Sequence, residues 1–502
     1  MKSVIRNNKN YICAICAWIA MYVIDILYAV KNYYYLINSD TASEMILGNE
    51  LAKNGGLLSK AWYYSTELRV LNTQIFYKIA FLISPSNWKN AKIIAMAMLL
   101  LVLSLSGIFF VRMIKGERSV QEILFALILV CPIGQWYTWN VLLNLYYVPH
   151  ISITLVSIGL FIAALRHERA RKIIDYILLA LLAMFAAMGG LRQLMICYVP
   201  MGLALCLLVY DMYKEGGMAS IRAKILDIAG LLVSLGFSLV GYKANRVFAN
   251  IYSFEELSEN KWQDFSLHEL VTSLGQFLGL FGWRKDVKIL SISGVLNGVA
   301  LVLVCVIIYF VVKAIREYKS DSIYGKYYLY FCVASFALQL ILYSQCNRAN
   351  ETYWIPLIPI VIFLAMSKID EIKLMIGFVA LIVLCSVSTL MPPTPAMIPT
   401  NEKELAVSTW LVDNGYENGY ATFWNSNAVT QLTNGRVQMW TVTGLDSLDV
   451  ERWLQLTSHS SEAPEENAFI LMSTEELEEN KALFDGAHVL YEDDNYIVVT
   501  AD

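Results

Sequence analysis

The sequence is poor in charged residues, which make up 16 % of its 502 positions, whereas a typical soluble protein carries about 25 %. Apolar residues account for 57 % of the chain. This combination excludes an ordinary soluble enzyme and predicts an all-α membrane protein that crosses the bilayer many times. Eleven apolar runs are candidates to cross about 30 Å of hydrocarbon, and they lie near residues 10–30, 93–113, 120–138, 145–165, 174–189, 193–210, 225–246, 292–312, 327–344, 353–366 and 374–391.

Lysine and arginine are concentrated in alternate connections between these runs, which hold 19 of the 38 basic residues. Because basic loops stay in the cytoplasm, this pattern predicts a cytoplasmic amino terminus. With an odd number of spans, the carboxyl tail is then extracytoplasmic, in a multi-pass protein of the cell membrane. The first run is too long for a signal-peptide core and lacks a small-residue cleavage pattern, so we interpret it as a retained anchor.

Histidine is also scarce, with only five residues and no close-spaced group, so a His-rich zinc site is not expected. The nine cysteines lie in or at the ends of the spans. Cys13 and Cys16 form a C-x-x-C inside a membrane helix, which we interpret as small apolar core residues rather than a redox motif. The sequence has no Ser-His-Asp spacing, Walker motif or dinucleotide fingerprint.

The tail differs sharply from the rest of the chain. A Pro-rich hinge at 392–400 separates a polytopic membrane domain, 1–391, from an acidic region, 401–502, that has 19 acidic and 4 basic residues. This acidity argues against a nucleic-acid partner. Its alternating pattern predicts a small extracytoplasmic α/β domain. The predicted helices are 402–413, 427–432, 448–456 and 474–484, and the predicted strands are 420–424, 436–442, 469–472, 488–491 and 496–500.

Two connections on the predicted outer side are long, at 31–92 and 249–288. The second is apolar and aromatic, which favours a helix lying in the membrane interface. The first sets Asp40, Glu67 and Arg69 beside many Tyr and Trp residues. Glu67 and Arg69 have two interpretations. The pair forms a structural salt bridge, or Arg69 binds a phosphate while Glu67 assists Asp40.

Asp40 has two interpretations. It stands in Ser39-Asp40-Thr41, with Glu44 one turn later, so it can be a helix cap while Glu44 favours the helix start. Alternatively, it is a general base or a ligand of a divalent ion at the entrance of an outward cavity.

Further candidates are four ionisable residues inside or near the membrane, Arg192, Arg348, His150 and Arg246, because such groups at membrane depth are costly and usually functional. Arg192 and Arg348 either snorkel to lipid headgroups or converge on a phosphate or pyrophosphate. His150 is either a hydrogen-bonded structural histidine or a catalytic one.

With these residues in view, the chain resembles the GT-C class of integral-membrane glycosyltransferases, which includes protein O-mannosyltransferases and aminoarabinose transferases of lipid A. The resemblance covers the architecture: an acidic residue just after the first span, a large first outer loop, eleven or so spans and an outer carboxyl domain. Asp40 matches the position of the first-loop catalytic acid, and Glu67 is similar to the second acidic position. Arg348, Tyr353 and Pro356 look like the late Arg/Tyr-Pro pattern of the class.

The resemblance implies a polyprenyl-phosphate-linked sugar as donor and a direct, inverting displacement at the anomeric carbon. Asp40 would deprotonate the acceptor hydroxyl, and Arg348 or Arg192 would stabilise the departing lipid phosphate. Many members carry adjacent Asp-Glu, whereas Thr41 follows Asp40 here. That departure affects the role of the second acid and any requirement for a metal. Asp40 and Glu67 would be the carboxylates that bind Mg²⁺ or Mn²⁺.

Three alternatives stay open on the sequence. A flippase or transporter of lipid-linked sugars would bind the same substrate, although it would favour internal repeats with broken helices. An O-antigen polymerase or ligase typically places its large loop late in the chain. A non-catalytic envelope protein whose tail binds a partner is the third.

Overall fold

The computed structural model of the protein describes residues 2–65, 68, 70–248, 251–253, 262–284, 287–346, 351–390, 402–464 and 467–501. Up to residue 390 its regular elements are helices, as the apolar composition predicts. These helices are α1 (Lys2–Lys31), α2 (Ser39–Asn54), α3 (Gln74–Ile83), α4 (Trp88–Lys115), α5 (Val120–Leu129), α6 (Gln135–Tyr137), α7 (Val148–Arg166), α8 (Arg169–Ala187), α9 (Leu191–Gln193), α10 (Val199–Ala223), α11 (Ile225–Phe248), α12 (Leu267–Gly279), α13 (Ile292–Glu317), α14 (Ile323–Gln345), α15 (Leu357–Ser367) and α16 (Ile372–Leu390).

Seven helical stretches in the described part of the chain are long and apolar enough to cross a membrane. They are Lys9–Lys31, Trp88–Lys115, Val148–Arg166, Leu191–Ala223, Ile225–Phe248, Ile292–Ser320 and Ile323–Leu342. The four other predicted runs coincide with α5, α8, α15 and α16, which are shorter or more polar. Every predicted run therefore contains a helix, and the predicted all-α membrane architecture is confirmed.

The predicted run at 120–138 is not one continuous helix. α5 ends at Leu129 after 10 residues, which extend only about 15 Å. Pro132 follows, and the residue before a proline is disfavoured in helical geometry. The helix starts again at Gln135. Gly134 sits in this break, where an added Cβ would lie 2.4 Å from the carbonyl oxygen of Leu280.

The chain divides into two compact units. The first contains residues 1–25, 99–245 and 258–393, and the second contains 26–98, 246–257 and 394–502. The second unit thus joins the first long loop and the tail, which are distant in sequence.

The tail folds into the small α/β domain predicted from its pattern. Its helices are α17 (Glu402–Asp413), α18 (Phe423–Leu432) and α19 (Thr474–Glu479), and its strands are β1 (Asn418–Thr422), β2 (Gln438–Val442), β3 (Phe469–Ser473), β4 (Val489–Glu492) and β5 (Tyr496–Thr500). The sheet order is β2-β1-β3-β5-β4. β1 is parallel to β2 and β3, whereas β5 is antiparallel to β3 and β4.

One predicted helix of the tail, at 448–456, is wrong. Val450 forms an antiparallel bridge with Val442 instead, and the amide of Glu451 donates to the carbonyl of Thr441. Leu448 and Leu454 both have positive φ, which a right-handed helix excludes. The predicted strand 420–424 also extends too far, because Phe423 already begins α18.

Within the second unit, the tail is bonded directly to the first long loop. Trp62 forms an antiparallel bridge with Leu456, and the amide of Tyr63 donates to the carbonyl of Gln455 over 2.8 Å. Gln431 of α18 donates from Nε2 to the hydroxyl of Tyr33 over 3.2 Å, and burial raises the pKa of that tyrosine. Ile37 and Ala42 of the loop pack with Ala428 and Leu432 of α18 in one core cluster.

The second long loop contains the predicted helix, which is α12. Its inner side packs Phe277 against Phe336 and Trp354, with ring centroids 5.4 and 5.2 Å away. Another side of the helix leaves a stripe of apolar residues exposed: Leu267, Val271, Leu274 and Leu278. This spacing is the amphipathic pattern of a helix that lies on an apolar medium.

Candidate functional site

Asp40 lies in the first turn of α2, and its side chain is exposed. The cap of this helix is Asn38, whose side-chain oxygen accepts the amide of Thr41 over 2.9 Å. Thr41 returns the bond by accepting the amide of Asn38, which completes a capping box. The interpretation of Asp40 as the cap is therefore wrong, and its carboxylate is not required for that role.

Glu44 does more than favour the helix start. It is buried, and its Oε2 accepts a hydrogen bond of 2.7 Å from the hydroxyl of Thr73. Nearby, the buried ammonium of Lys92 donates to the hydroxyl of Tyr77 over 3.0 Å. Gly48 in the next turn of α2 contacts Tyr77 so closely that an added Cβ would lie 2.4 Å from the tyrosine Cβ. These contacts fix α2 against α3 and α3 against α4, and thereby hold the turn that carries Asp40.

The tail contributes a residue beside this turn that the sequence did not single out. The hydroxyl of Ser39 donates to the carbonyl of Trp424 over 2.8 Å. The indole of Trp424 is 65 % exposed, although the rest of α18 is almost entirely buried. The backbone of an exposed tryptophan thus lies next to the turn that carries Asp40. No local pattern could predict it, because 385 positions separate the two residues.

In the first unit, Arg192 lies among three tyrosines. Its Nη1 donates to the hydroxyl of Tyr146 over 2.9 Å. The centre of its guanidinium is 5.3 Å from the ring of Tyr146, 5.9 Å from that of Tyr147 and 5.5 Å from that of Tyr353. We call these four residues the Arg192–tyrosine cluster. The structure therefore brings together two predicted site residues, Arg192 and Tyr353, in cation–π geometry.

His150 supports this cluster from one side. The ring is buried, and its Nδ1 is 2.8 Å from Oε1 of Gln193, the residue after Arg192. Gln193 in turn donates from Nε2 to Thr154 over 3.2 Å. The ring of His150 also lies 6.0 Å from that of Tyr147. This geometry matches the structural interpretation of His150, which holds the segment carrying Arg192.

The backbone around the cluster is irregular. π-helical turns occur at Thr138–Leu143 and Leu194–Tyr198, and such turns are frequent at functional sites. Leu145 and Gly190 have φ values of 66° and 102°. In a membrane protein, non-helical backbone is tolerated where it is buried in protein or lines a polar cavity. Both irregular segments flank residues of the Arg192–tyrosine cluster.

Three predicted site residues, Glu67, Arg69 and Arg348, lie outside the described residues. Their roles stay predictions, and so does the convergence of Arg192 and Arg348 on a phosphate. Among the residues the structure describes, no group of three or more His, Cys, Asp or Glu side chains could hold a metal ion. The expected Mg²⁺ or Mn²⁺ ligation also stays a prediction, and no step below depends on it.

The chain combines a multi-helix membrane region, a helix after the first span that carries Asp40 and a small α/β tail. Among solved structures, the chain is similar to ArnT from Cupriavidus metallidurans. The apo crystal structure matches with a TM-score of 0.58 and 11 % identity, over 96 % of this chain and 97 % of that one. ArnT bound to undecaprenyl phosphate matches with a TM-score of 0.58 and 12 % identity, over 96 % and 98 %.

This similarity extends over nearly the whole of both chains, and it confirms the predicted GT-C resemblance in fold. No protein-family model matches the sequence, and no curated protein does.

Proposed function

We propose that the chain is a membrane glycosyltransferase that moves a sugar from a polyprenyl-phosphate donor to an extracytoplasmic acceptor, which is a cell-envelope glycan, lipid or protein. The observation that carries this proposal is the fold, shared almost end to end with a protein that was crystallised with undecaprenyl phosphate. Fold alone does not define function, so the proposal also depends on the chemistry of the described residues.

Asp40 is the proposed general base. It takes the proton of the acceptor hydroxyl while the acceptor oxygen forms a bond to the anomeric carbon of the donor. The bond from that carbon to the phosphate oxygen breaks, and polyprenyl phosphate leaves with the electron pair. This single displacement inverts the anomeric centre. The exposed side chain of Asp40, on a helix capped by another residue, suits this role.

Arg192 is the proposed partner of the lipid phosphate. The hydroxyl of Tyr146 accepts a hydrogen bond from Nη1, and the three tyrosine rings lie within cation–π distance of its guanidinium. A planar guanidinium recognises phosphate well because it can donate two hydrogen bonds at once. Tyr353 belongs to the same proposed site. His150 positions Arg192 through the neighbouring residue Gln193. We further propose that Arg348 and Arg69 bind the phosphate and that Glu67 assists Asp40.

The decisive test is Asp40→Asn in the purified full-length protein. We expect transfer from a polyprenyl-phosphate sugar in liposomes to fall by about 10²–10⁴-fold, the usual cost of losing a general base. The melting temperature should hardly change, because Asn38 rather than Asp40 caps the helix.

The matched control is Glu50→Gln, which also removes a carboxylate from α2. Glu50 accepts hydrogen bonds from Asn54 and Ser59, and its replacement should leave transfer near normal. Glu44→Gln, in contrast, should lower the melting temperature because Glu44 is a buried acceptor. Near-normal transfer by Asp40→Asn would remove Asp40 from the reaction.

We also propose that the amino terminus is cytoplasmic and the tail extracytoplasmic, as the distribution of basic residues indicates. The tail has no native cysteine, so Asp494→Cys gives it a single label site. A membrane-impermeant maleimide should label this variant in intact cells. Labelling only after permeabilisation would reverse the topology.

A further inference from the structure

A second group of basic side chains lines a cavity of about 370 Å³ in the first unit. The cavity lies where α4, α7 and α15 end and α14 begins. Its polar lining includes Lys115, Arg166, Lys368, Asp321, Ser322 and Tyr324. Three cations face one carboxylate there, so the lining carries a net charge of +2 with its groups in their usual ionisation states.

Arg166 is held rigidly in this lining. Its guanidinium stacks on the ring of Tyr324 at 3.9 Å, and Nη2 donates to the carbonyl of Ile114 over 2.6 Å. The chain turns at Gly116 with a φ of 79°, and a Cβ there would collide with the guanidinium. Among the described residues, Nε of Arg166 is buried and has no hydrogen-bond partner. A buried donor of this kind is costly unless a ligand or water completes it.

The other two cations differ from each other. Lys368 is satisfied, because its Nζ lies 2.7 Å from both carboxylate oxygens of Asp321. Lys115 is half-buried. Among the described residues it forms no ion pair, although the carboxylates of Asp370, Asp321 and Glu117 lie close enough to act on it electrostatically. It also lines a neighbouring cavity of about 650 Å³ together with Arg118 and Tyr11.

The start of α14 adds to this positive field. Ser322 caps that helix by accepting the amide of Gly325 over 3.3 Å, and both residues line the cavity. A helix amino terminus carries partial positive charge, which favours an anion nearby. The cavity therefore combines a net cationic lining, a buried unsatisfied guanidinium donor and a helix amino terminus.

We propose that this cavity binds the phosphate of an anionic phospholipid headgroup. The basic residues belong to connections that we predict to be cytoplasmic, and the cytoplasmic leaflet is the anionic one. Basic pockets between the cytoplasmic ends of spanning helices bind such headgroups. Apolar lining residues such as Ile114 and Leu364 suit the adjoining glycerol and acyl carbons. This site is independent of the proposed transfer reaction.

The test uses the full-length protein in nanodiscs of dioleoyl-phosphatidylcholine, with or without dioleoyl-phosphatidylglycerol. Native mass spectrometry counts the lipids retained, and thermal unfolding measures the stabilisation. We expect one phosphatidylglycerol to be retained and to raise the melting temperature. Lys115→Gln should weaken its retention about fivefold, since one basic residue near an anionic surface contributes about that factor.

The matched control is Lys319→Gln, which removes the same charge from an exposed lysine outside the cavity. It should retain the lipid normally. Lys115→Gln is the primary variant because it breaks no described hydrogen bond, and Arg166→Gln is a second one. In a parallel experiment, sodium phosphate is added to phosphatidylcholine nanodiscs. Stabilisation by phosphate that Lys115→Gln removes would keep the anion site but assign it to free phosphate.

Equal retention of both lipids, or equal losses in Lys115→Gln and Lys319→Gln, would overturn the site. A lysine that acts only through overall charge would give the second result.

Discussion

The first unit holds its basic side chains in two different ways. Arg192 packs among the rings of Tyr146, Tyr147 and Tyr353. Three basic residues of the connections predicted to be cytoplasmic pair with carboxylates: Arg112 with Glu122 at 2.8 Å, Lys172 with Asp227 at 2.5 Å and Lys368 with Asp321 at 2.7 Å. A carboxylate neutralises a cation and stabilises the fold. Tyrosine rings attract a cation through the negative faces of the rings and orient it.

The substitution Arg192→Met tests whether Arg192 acts on the departing phosphate. If Arg192 stabilises the charge of the departing phosphate, transfer should fall by about 10²–10³-fold, as it does when a transition-state donor is removed. The melting temperature should change little. Both are measured in the transfer assay and by thermal unfolding.

Arg316→Met is the control, because Arg316 is an exposed residue in the last turn of α13 and belongs to no proposed site. It should keep near-normal transfer. A large loss of stability with unchanged specific activity in Arg192→Met would make Arg192 a structural cation like Arg112.

The converse prediction concerns Arg112. It pairs with Glu122 through Nε and Nη2, and Glu122 is fully buried. Arg112→Met leaves this carboxylate without its cation, which typically costs about 3 kcal/mol of the free energy of unfolding. Denaturant unfolding in micelles measures the loss, and specific activity of the folded fraction should stay unchanged.

The double variant Arg112→Met/Glu122→Gln should recover most of that stability, because no buried charge remains. No recovery would mean that Arg112 acts through packing of its alkyl chain rather than through its charge.

The tail shows a third arrangement, a titratable group held neutral. His459 stacks on Trp440 at 4.2 Å and contacts Gln455, and burial lowers its pKa to about 4. The unfolded histidine titrates near pH 6.5. Stability is therefore full above about pH 6.5 and falls as the pH drops toward 4.

Between pH 7 and pH 5 the loss should reach about 2 kcal/mol. Thermal unfolding of the full-length protein over this range measures it. His459→Gln, which cannot titrate, should be less stable at pH 7 but less dependent on pH. Parallel pH profiles for the two proteins would assign the acid sensitivity to other groups.

These arrangements could be predicted only in part from the sequence. Apolar runs predicted the helices, and the alternating pattern predicted the tail sheet, because both signals are local. The predicted helix at 448–456 was wrong because a long-range partner, Val442, pairs with Val450. The cap of α2 was misplaced by two residues, since Asn38 and Asp40 are equally good caps in isolation.

The candidate site was predictable as single residues but not as an arrangement. Arg192 stood out as an ionisable residue at membrane depth. Its neighbours Tyr146 and Tyr147 lie 46 and 45 positions earlier, and no local pattern connects them with it. Trp424 was missed for the same reason, since only the folded chain places its carbonyl on Ser39.

Tyr146 contacts Arg192 through its hydroxyl and through its ring, and two substitutions separate these contacts. Tyr146→Phe removes the hydroxyl that accepts from Nη1 of Arg192 but keeps the ring. If the ring provides most of the orientation, the loss is about one net hydrogen bond, or roughly 1 kcal/mol, which corresponds to about fivefold in transfer. Tyr146→Leu removes the ring as well and should cost several-fold more. Tyr210→Phe, at an exposed tyrosine of α10, is the control and should leave transfer unchanged. Equal losses in Tyr146→Phe and Tyr146→Leu would place the whole effect in the hydroxyl, and the cluster would then orient Arg192 by hydrogen bonding rather than by its rings.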